Sequence, residues 1–240
     1  MKTLKYILLV STSLIIFASC QKGSVWGIYG KGTSVTRERT VTAYSGINLN
    51  CDANIIFVKD SVYSMKVTAQ ENIQSILETK VVDSELRVSF LREVRTHDGV
   101  IITIHAPSLN SLLINGSGNI SAEGTCTAGA ISLYVNGSGN ITLPTLNSNS
   151  IDAKIAGSGN ININAGTNTT AVYYVNGSGN VNALGMTSKS CTVKITGSGN
   201  VTVNATDNLN VTLTGSGDLK YKGNPTVSSQ VTGSGRLIHL

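Results

Sequence analysis

Beyond residue 100 the chain carries only four carboxylates, Glu123, Asp152, Asp207 and Asp218. Hydrolysis of a glycosidic bond needs two carboxyl groups converging on one substrate, and elimination needs a Lys or Arg with acidic or metal partners. In the repeat frame derived below, Glu123 and Asp152 occupy different positions, and Asp207 and Asp218 lie several repeats away. The three histidines, His97, His105 and His239, are scattered and read as surface groups. No catalytic set is expected, and the chain reads as a non-enzyme. Cys51, Cys126 and Cys191 stand 75 and 65 residues apart with no His beside them, which is no zinc pattern, so no metal or cofactor is expected. Three is an odd number, so at least one thiol is left free or pairs between chains. Cys191 falls at a core position, where a thiol is a small hydrophobe. Cys126 and Cys191 are about three repeats apart, ~14 Å at ~4.8 Å per repeat, beyond the ~7 Å reach of a disulfide.

One arrangement suits binding. Three residues before each repeated Gly stand Leu113, Tyr134, Lys154, Tyr174, Lys194, Thr212 and Gln230, and one before it stand Asn136 and Asn176 among others. On a flat sheet face, Tyr134, Lys154, Tyr174 and Lys194 would stack against and hydrogen-bond a glycan, with Asn136 and Asn176 alongside. The plainer reading is a solvated face whose Tyr and Lys supply β-propensity and blunt edges.

What must hold these residues in line is a repeat. Gly-Ser-Gly-Asn or a near copy begins at Gly116, Gly137, Gly157, Gly177, Gly197, Gly215 and Gly233, at intervals of 21, 20, 20, 20, 18 and 18. Its second glycines are Gly118, Gly139, Gly159, Gly179, Gly199, Gly217 and Gly235. Its last residues are Asn119, Asn140, Asn160, Asn180 and Asn200, then Asp218 and Arg236. Two before the first Gly run Ile114, Val135, Ile155, Val175, Ile195, Leu213 and Val231. Directly after the tetrapeptide run Ile120, Ile141, Ile161, Val181, Val201, Leu219 and Leu237. Apolar columns alternate with polar ones on both flanks of a glycine corner, the pattern of two half-buried strands. A meander needs two turn signals per 20 residues; one recurring corner fits a parallel β-solenoid, in which like residues stack from coil to coil. Gly, and to a lesser degree Asn, tolerates positive φ, and stacked Ser and Asn side chains can hydrogen-bond along the axis. The tetrapeptide lacks the Lys and strand-to-helix setting of a phosphate loop, and the repeated Asp of calcium-binding solenoids.

Charged residues make up 13% of the chain and aromatics 5%, against 25 Gly, a balance that favours an all-β chain with many turns. The formal charge of +5 includes Lys2 and Lys5, which fall in a segment expected to be removed. No basic stripe interleaved with aromatics remains, so nucleic acid is not an expected partner.

Met1 to Cys20 has a basic start, an apolar run from Tyr6 to Phe17 and Ala18-Ser19 before Cys20. This is a secretory signal, too short in its apolar part for a span of about 20 residues. Cys20 resembles the acylated cysteine of a bacterial lipoprotein, which makes the membrane a partner through a lipid anchor. Residues 21–36 then read as a tether, and 37–240 as one solenoid domain, degenerate over 37–110 and regular over 111–240. In the degenerate part, Ile47, Leu49, Ile55 and Phe57 flank a corner at Cys51-Asp52-Ala53-Asn54, 65 residues or about three periods before Gly116. Met65 and Val67, Leu86 to Phe90, and Ile102 and Ile104 read as strands filling that gap, with a short helical turn over Glu71 to Thr79. This part should cap the apolar ladder, and Arg236 and His239 should do so at the other end. An uncovered last coil would allow self-association.

The Gly-Ser-Gly-Asn-Ile/Val repeats, Arg39-Thr-Val-Thr-Ala-Tyr-Ser-Gly-Ile47, Val67-Thr-Ala-Gln-Glu-Asn72 and Ser84-Glu-Leu-Arg-Val88 together resemble the head GIN domain family, a domain of unknown function named for adhesin heads and found in Bacteroidota lipoproteins. The resemblance spans about 39–240. It implies a right-handed parallel β-helix and brings no agreed functional residues. In such bacteria exterior lipoproteins carry acidic residues after the Cys; Gln21-Lys22-Gly23-Ser24 has none, leaving cell surface and periplasmic face of the outer membrane both open. Asp60-Ser61-Val62 resembles the short O-glycosylation signal of these organisms. The expected role is adhesion or binding of a glycan or an envelope or host protein; the alternative is a structural envelope protein that packs through its coil ends or flat faces.

Overall fold

The computed structural model describes residues 27–240; Cys20 and the segment read as an export signal lie outside them. The chain forms a β-solenoid of about six turns with roughly 20 residues per coil. The regular part comprises β10 (Ser111–Gly116), β11 (Asn119–Glu123), β12 (Thr125–Gly137), β13 (Asn140–Leu143), β14 (Thr145–Gly157), β15 (Asn160–Ile163), β16 (Gly166–Gly177), β17 (Asn180–Gly197), β18 (Val201–Gly215), β19 (Leu219–Lys222), β20 (Thr226–Gly233) and β21 (Leu237–His239). Every pairing among them is parallel, and corner stacks on corner: Gly116, Gly137, Gly157, Gly177, Gly197, Gly215 and Gly233 are partners in series. The Ile114–Leu213 and Ile120–Leu219 columns are buried throughout, so each coil contributes one layer to a continuous apolar ladder. The drop from a 20- to an 18-residue period is absorbed away from the corner, where the β17–β18 register slips between Ala183 and Thr187 and again between Ser188 and Ser190.

The N-terminal part departs from expectation. Its strands are β1 (Ile28–Tyr29), β2 (Ser34–Arg39), β3 (Gly46–Leu49), β4 (Asn54–Lys59), β5 (Ser64–Gln70), β6 (Leu77–Val82), β7 (Glu85–Phe90), β8 (Val94–Thr96) and β9 (Ile101–Ala106), with one helical turn, α1 (Glu71–Gln74). The corner at Cys51–Asn54 does not lie three coils from Gly116. Gly46 pairs directly with Ser111 and Asn54 with Asn119, so 65 residues separate adjacent coils. The intervening chain runs outward: β7 and β9 form a further coil on the far side of β3 and β4, while β5 pairs antiparallel with β9 and β6 antiparallel with β7. Residues 107–110 then return to the regular stack. The gap therefore holds one parallel coil and a set of antiparallel strands, because an antiparallel strand closes a sheet edge that another coil would only renew.

The stretch read as a tether also enters the fold. Ile28 and Tyr29 pair with β8, and β2 pairs antiparallel with β5 from Ser34 onward. β2 makes the outer rim, and its charges are paired there: Arg37 with Glu71, and Glu38 with Lys66 at 3.4 Å. Arg39 donates to the carbonyls of Leu77 (2.6 Å) and Gln74 (2.9 Å), fixing α1 and β6 to this rim. A polar, charged edge strand covers the ladder at this end. The other end is different. All eight residues of β20 are exposed, Val231 at 45%. Arg236 and His239 do not cover it: Arg236 turns back to Asp218, and His239 stacks on Tyr221 with ring centroids 4.6 Å apart.

Candidate functional site: a flat polar face beside a glycine corner

Each glycine of the corner has its own reason. The first takes φ between +119° and +143°, which only Gly adopts freely. The second has no left-handed φ; a Cβ on Gly139, Gly159, Gly179 or Gly199 would stand 2.1 Å from the carbonyl oxygen of the coil before. Backbone amides close the corner: those of Ser158 and Gly159 both donate to the Gly137 carbonyl, at 2.9 and 3.0 Å, and the pattern repeats along the stack. The Asn residues are not in the left-handed region, where the only non-Gly residues described are Asp83 and Ser84. They form an axial ladder instead. Asn119 donates to Asn54, Asn140 to Asn119, Asn160 to Asn140, Asn180 to Asn160 and Asn200 to Asn180, at 2.8 to 3.1 Å. Asp218 accepts at the end of the series, its carboxyl held below the usual range by the Arg236 guanidinium (2.6 Å). The corner serines make no axial side-chain bond; Ser138, Ser158 and Ser178 are exposed.

The corner rigidifies the strand that precedes it, and that strand carries the candidate face. Tyr134, Lys154, Tyr174 and Lys194 are partners in register on β12, β14, β16 and β17. Asn136, Ala156 and Asn176 run alongside. Period-2 alternation separates neighbours of like chemistry: Tyr173 is buried at 1%, whereas Tyr174 is half-exposed on the outer face.

The face falls into two unequal halves. Asp152 accepts from the Tyr134 hydroxyl at 2.6 Å and from the Lys154 ammonium at 2.7 Å. Lys154 lies 5.0 Å over the Tyr134 ring, and its hydrogen bond to Asp152 raises its pKa. These three groups satisfy one another. Asp152, expected to be an isolated carboxylate, is thus the structural anchor of this cluster. Lys194 lies 5.4 Å over the Tyr174 ring but has no carboxylate partner among the described residues. Asn136 donates to Asn115 at 2.9 Å, while the exposed Asn176 amide has no such partner. Lysines thus overlie both tyrosine rings, which leaves the ring edges and the Tyr174 hydroxyl, more than open ring faces, available to a ligand.

Other titratable groups are spent or scattered. Glu123 is exposed, and Asp207 accepts from Thr206 at 2.6 Å. All three described cysteines are free and buried; burial pushes Cys51 up to about 12 and Cys191 up to about 11. Sequence reasoning missed a groove of about 590 Å³ on the cap, lined by Glu38, Arg39, Asp60, Tyr63, Ser64 and His105 among others. There the Asp60 carboxylate, held low by the Val62 amide and by His105, meets His105 Nδ1 at 3.2 Å. Ser64 faces His105 across the β5–β9 pair, but no hydrogen bond joins them, so the trio lacks the link a nucleophile needs. Asp60 and His105 are 45 residues apart, and the parallel β4–β9 pairing, which sets Lys59 against Ala106, brings them together, while the antiparallel return of β5 adds Ser64.

The fold is thus a parallel β-solenoid with a Tyr/Lys/Asn column on one flat face. The chain belongs to the family described as "Putative auto-transporter adhesin, head GIN domain", which it matches over residues 43–225. It is similar to a solved "putative adhesin" from Bacteroides fragilis, at 25% identity and a TM-score of 0.83 over 89% of this chain and 100% of that one. A "Putative lipid binding protein" from Parabacteroides distasonis (24% identity, TM-score 0.77, covering 90% of this chain and 100% of that one) shares the fold. So does a "putative adhesin" from Parabacteroides merdae (22%, 0.72, covering 89% and 99%). No curated protein matches the chain. No helix among the described residues is long and apolar enough to cross a membrane.

Proposed function

We propose that the protein is an adhesion module of the bacterial cell envelope, anchored in the outer membrane through acylated Cys20, that binds an extended glycan on its Tyr134–Lys194 face. The observation that carries this reading is the register: four side chains able to engage sugars repeat at one strand spacing, ~4.8 Å, along a rigid axis. A flat, repeating face suits a repeating polymer, each contact weak and the sum useful. The adhesin names of the family and of the B. fragilis relative point the same way. The test is a glycan array with the purified protein and its Tyr134→Ala/Tyr174→Ala variant. Binding lost in the variant supports the reading; absence of binding to any glycan counts against it.

The exposed β20 favours a second reading, a structural lipoprotein that self-associates. Its outer edge has no partner among the described residues, and Thr226 to Gly233 carry no charge to blunt it. Sedimentation at high concentration decides: a strict monomer removes this alternative.

A further inference from the structure

On the outer face of the strand segment before the corner (residues 132–136, 152–156, 172–176, 192–196, 210–214 and 228–232, in register) the charged side chains are Asp152, Lys154 and Lys194, while the exposed Lys189 and Asp207 lie upstream of that segment. The first two neutralise each other at 2.7 Å, so the face keeps one uncompensated positive charge, at Lys194. Around it the unsatisfied groups are concentrated. Tyr174 sits between Lys154 and Lys194 in register, Val172 two residues earlier is 41% exposed, and Asn176 two residues later offers a free amide. On the next strand Thr192 and Thr196 flank Lys194, with Thr192 exposed. Tyr134, by contrast, has spent its hydroxyl on Asp152.

Resting on the glycan reading above, we infer that the ligand is an acidic glycan and that its charged sugar binds at Tyr174 and Lys194, not at Tyr134 and Lys154. An apolar patch at Val172 takes the hydrophobic face of a pyranose. The Tyr174 hydroxyl and the Asn176 amide reach its hydroxyls, and the Lys194 ammonium receives its anionic group. A neutral sugar would leave Lys194 unused; a cationic one would meet repulsion. The Asp152–Lys154 pair bounds the site, because its mutually neutralised charges offer an anion no net attraction toward Tyr134.

The experiment uses a homopolymer of uronic acid and a neutral glucan of similar length as probes, with binding to the purified protein measured by calorimetry at low and high salt. The uronate should bind more tightly, and added salt should weaken it. Lys194→Gln should lower its affinity about fivefold, the value of roughly one exposed charge contact, and Lys154→Gln about twofold or less. A sulfated glycan binding as well as the uronate would widen the anion class and still support the assignment. Equal binding of both polymers, with Lys194→Gln silent and Tyr174→Ala damaging, would overturn the acidic assignment while leaving the glycan face intact. Binding to neither polymer, or binding untouched by Tyr134→Ala/Tyr174→Ala, would overturn both.

Discussion

Replacing Gly159 by Ala tests the corner most sharply. The new Cβ would lie 2.1 Å from the Gly139 carbonyl oxygen and 2.6 Å from Val135 Cγ1. An ordinary carbon-to-oxygen contact needs ~3.3 Å, so adjacent coils must part by more than ~1 Å at this point. That movement strains the Gly159 amide bond to Gly137 (3.0 Å) and the Asn160 amide bond to Gly139 (3.2 Å). Overpacking costs about 1–3 kcal/mol and a lost backbone hydrogen bond about 1 more, together about 2–4 kcal/mol. For a domain of this size each kcal/mol moves the melting temperature by about 2–4 °C, so a fall of at least about 4 °C is expected. The assay is thermal unfolding followed by circular dichroism, with Gly129→Ala as control. Gly129 has open space around its missing Cβ and no left-handed φ, so the same substitution there should be neutral or stabilise by up to about 1 kcal/mol. If Gly159→Ala melted within about 1 °C of the parent, or the two variants behaved alike, the close-stacking argument would be refuted.

Asn160→Ala should destabilise by about 1–2 kcal/mol, because it removes one donated bond and two accepted ones, read as a lowered urea midpoint against Ser158→Ala, which should be near neutral. The Asp218–Arg236 pair should confer acid sensitivity on the last coil. Asp218 has its folded pKa depressed below 3.8, so its contribution is complete above that value and is lost as pH falls through the folded pKa. The protection factors of the Arg236 and Leu237 amides, corrected for the intrinsic pH dependence of exchange, should therefore fall on acidification, and Asp218→Asn should abolish the change; protection factors in the parent that do not change with pH would contradict it. Cys51, Cys126 and Cys191 should resist a maleimide at pH 8 in the native protein and react on unfolding, since burial disfavours each thiolate; rapid native labelling of any one would show that its coil opens.

The regular coils were legible because a strand corner, unlike a helix, leaves its signature at one fixed spacing. Tyr174 was placed on the outer face from its spacing alone, and the structure leaves it half-exposed while burying its neighbour Tyr173. The cap was legible only as hydrophobic strands. Nothing in Met65–Val67 or Leu86–Phe90 states whether a partner runs parallel or antiparallel, and the 65-residue interval fits three coils as readily as one outward excursion. The corner was partly read: glycine's freedom accounts for Gly157 and axial stacking for the Asn160 ladder, but Gly159 is fixed by the close approach of the backbone of the coil before, which a single coil does not show. Tyr134, Lys154, Tyr174 and Lys194 stack in register as their spacing implied, yet the sequence could not show that Asp152 would close off the Tyr134 half. That contact joins residues from successive coils through side chains of different length, a matter of geometry and not of spacing.

The most direct test of the binding face is one that does not presuppose it: an NMR titration of the isotopically labelled protein with an acidic polysaccharide, mapping every backbone and Asn side-chain amide. Shifts centred on Val172, Tyr174, Asn176 and Lys194, fading toward Tyr134, are predicted. Shifts centred on the Asp60–His105 groove or on β20, or none at saturating ligand, would contradict the assignment of function to this face.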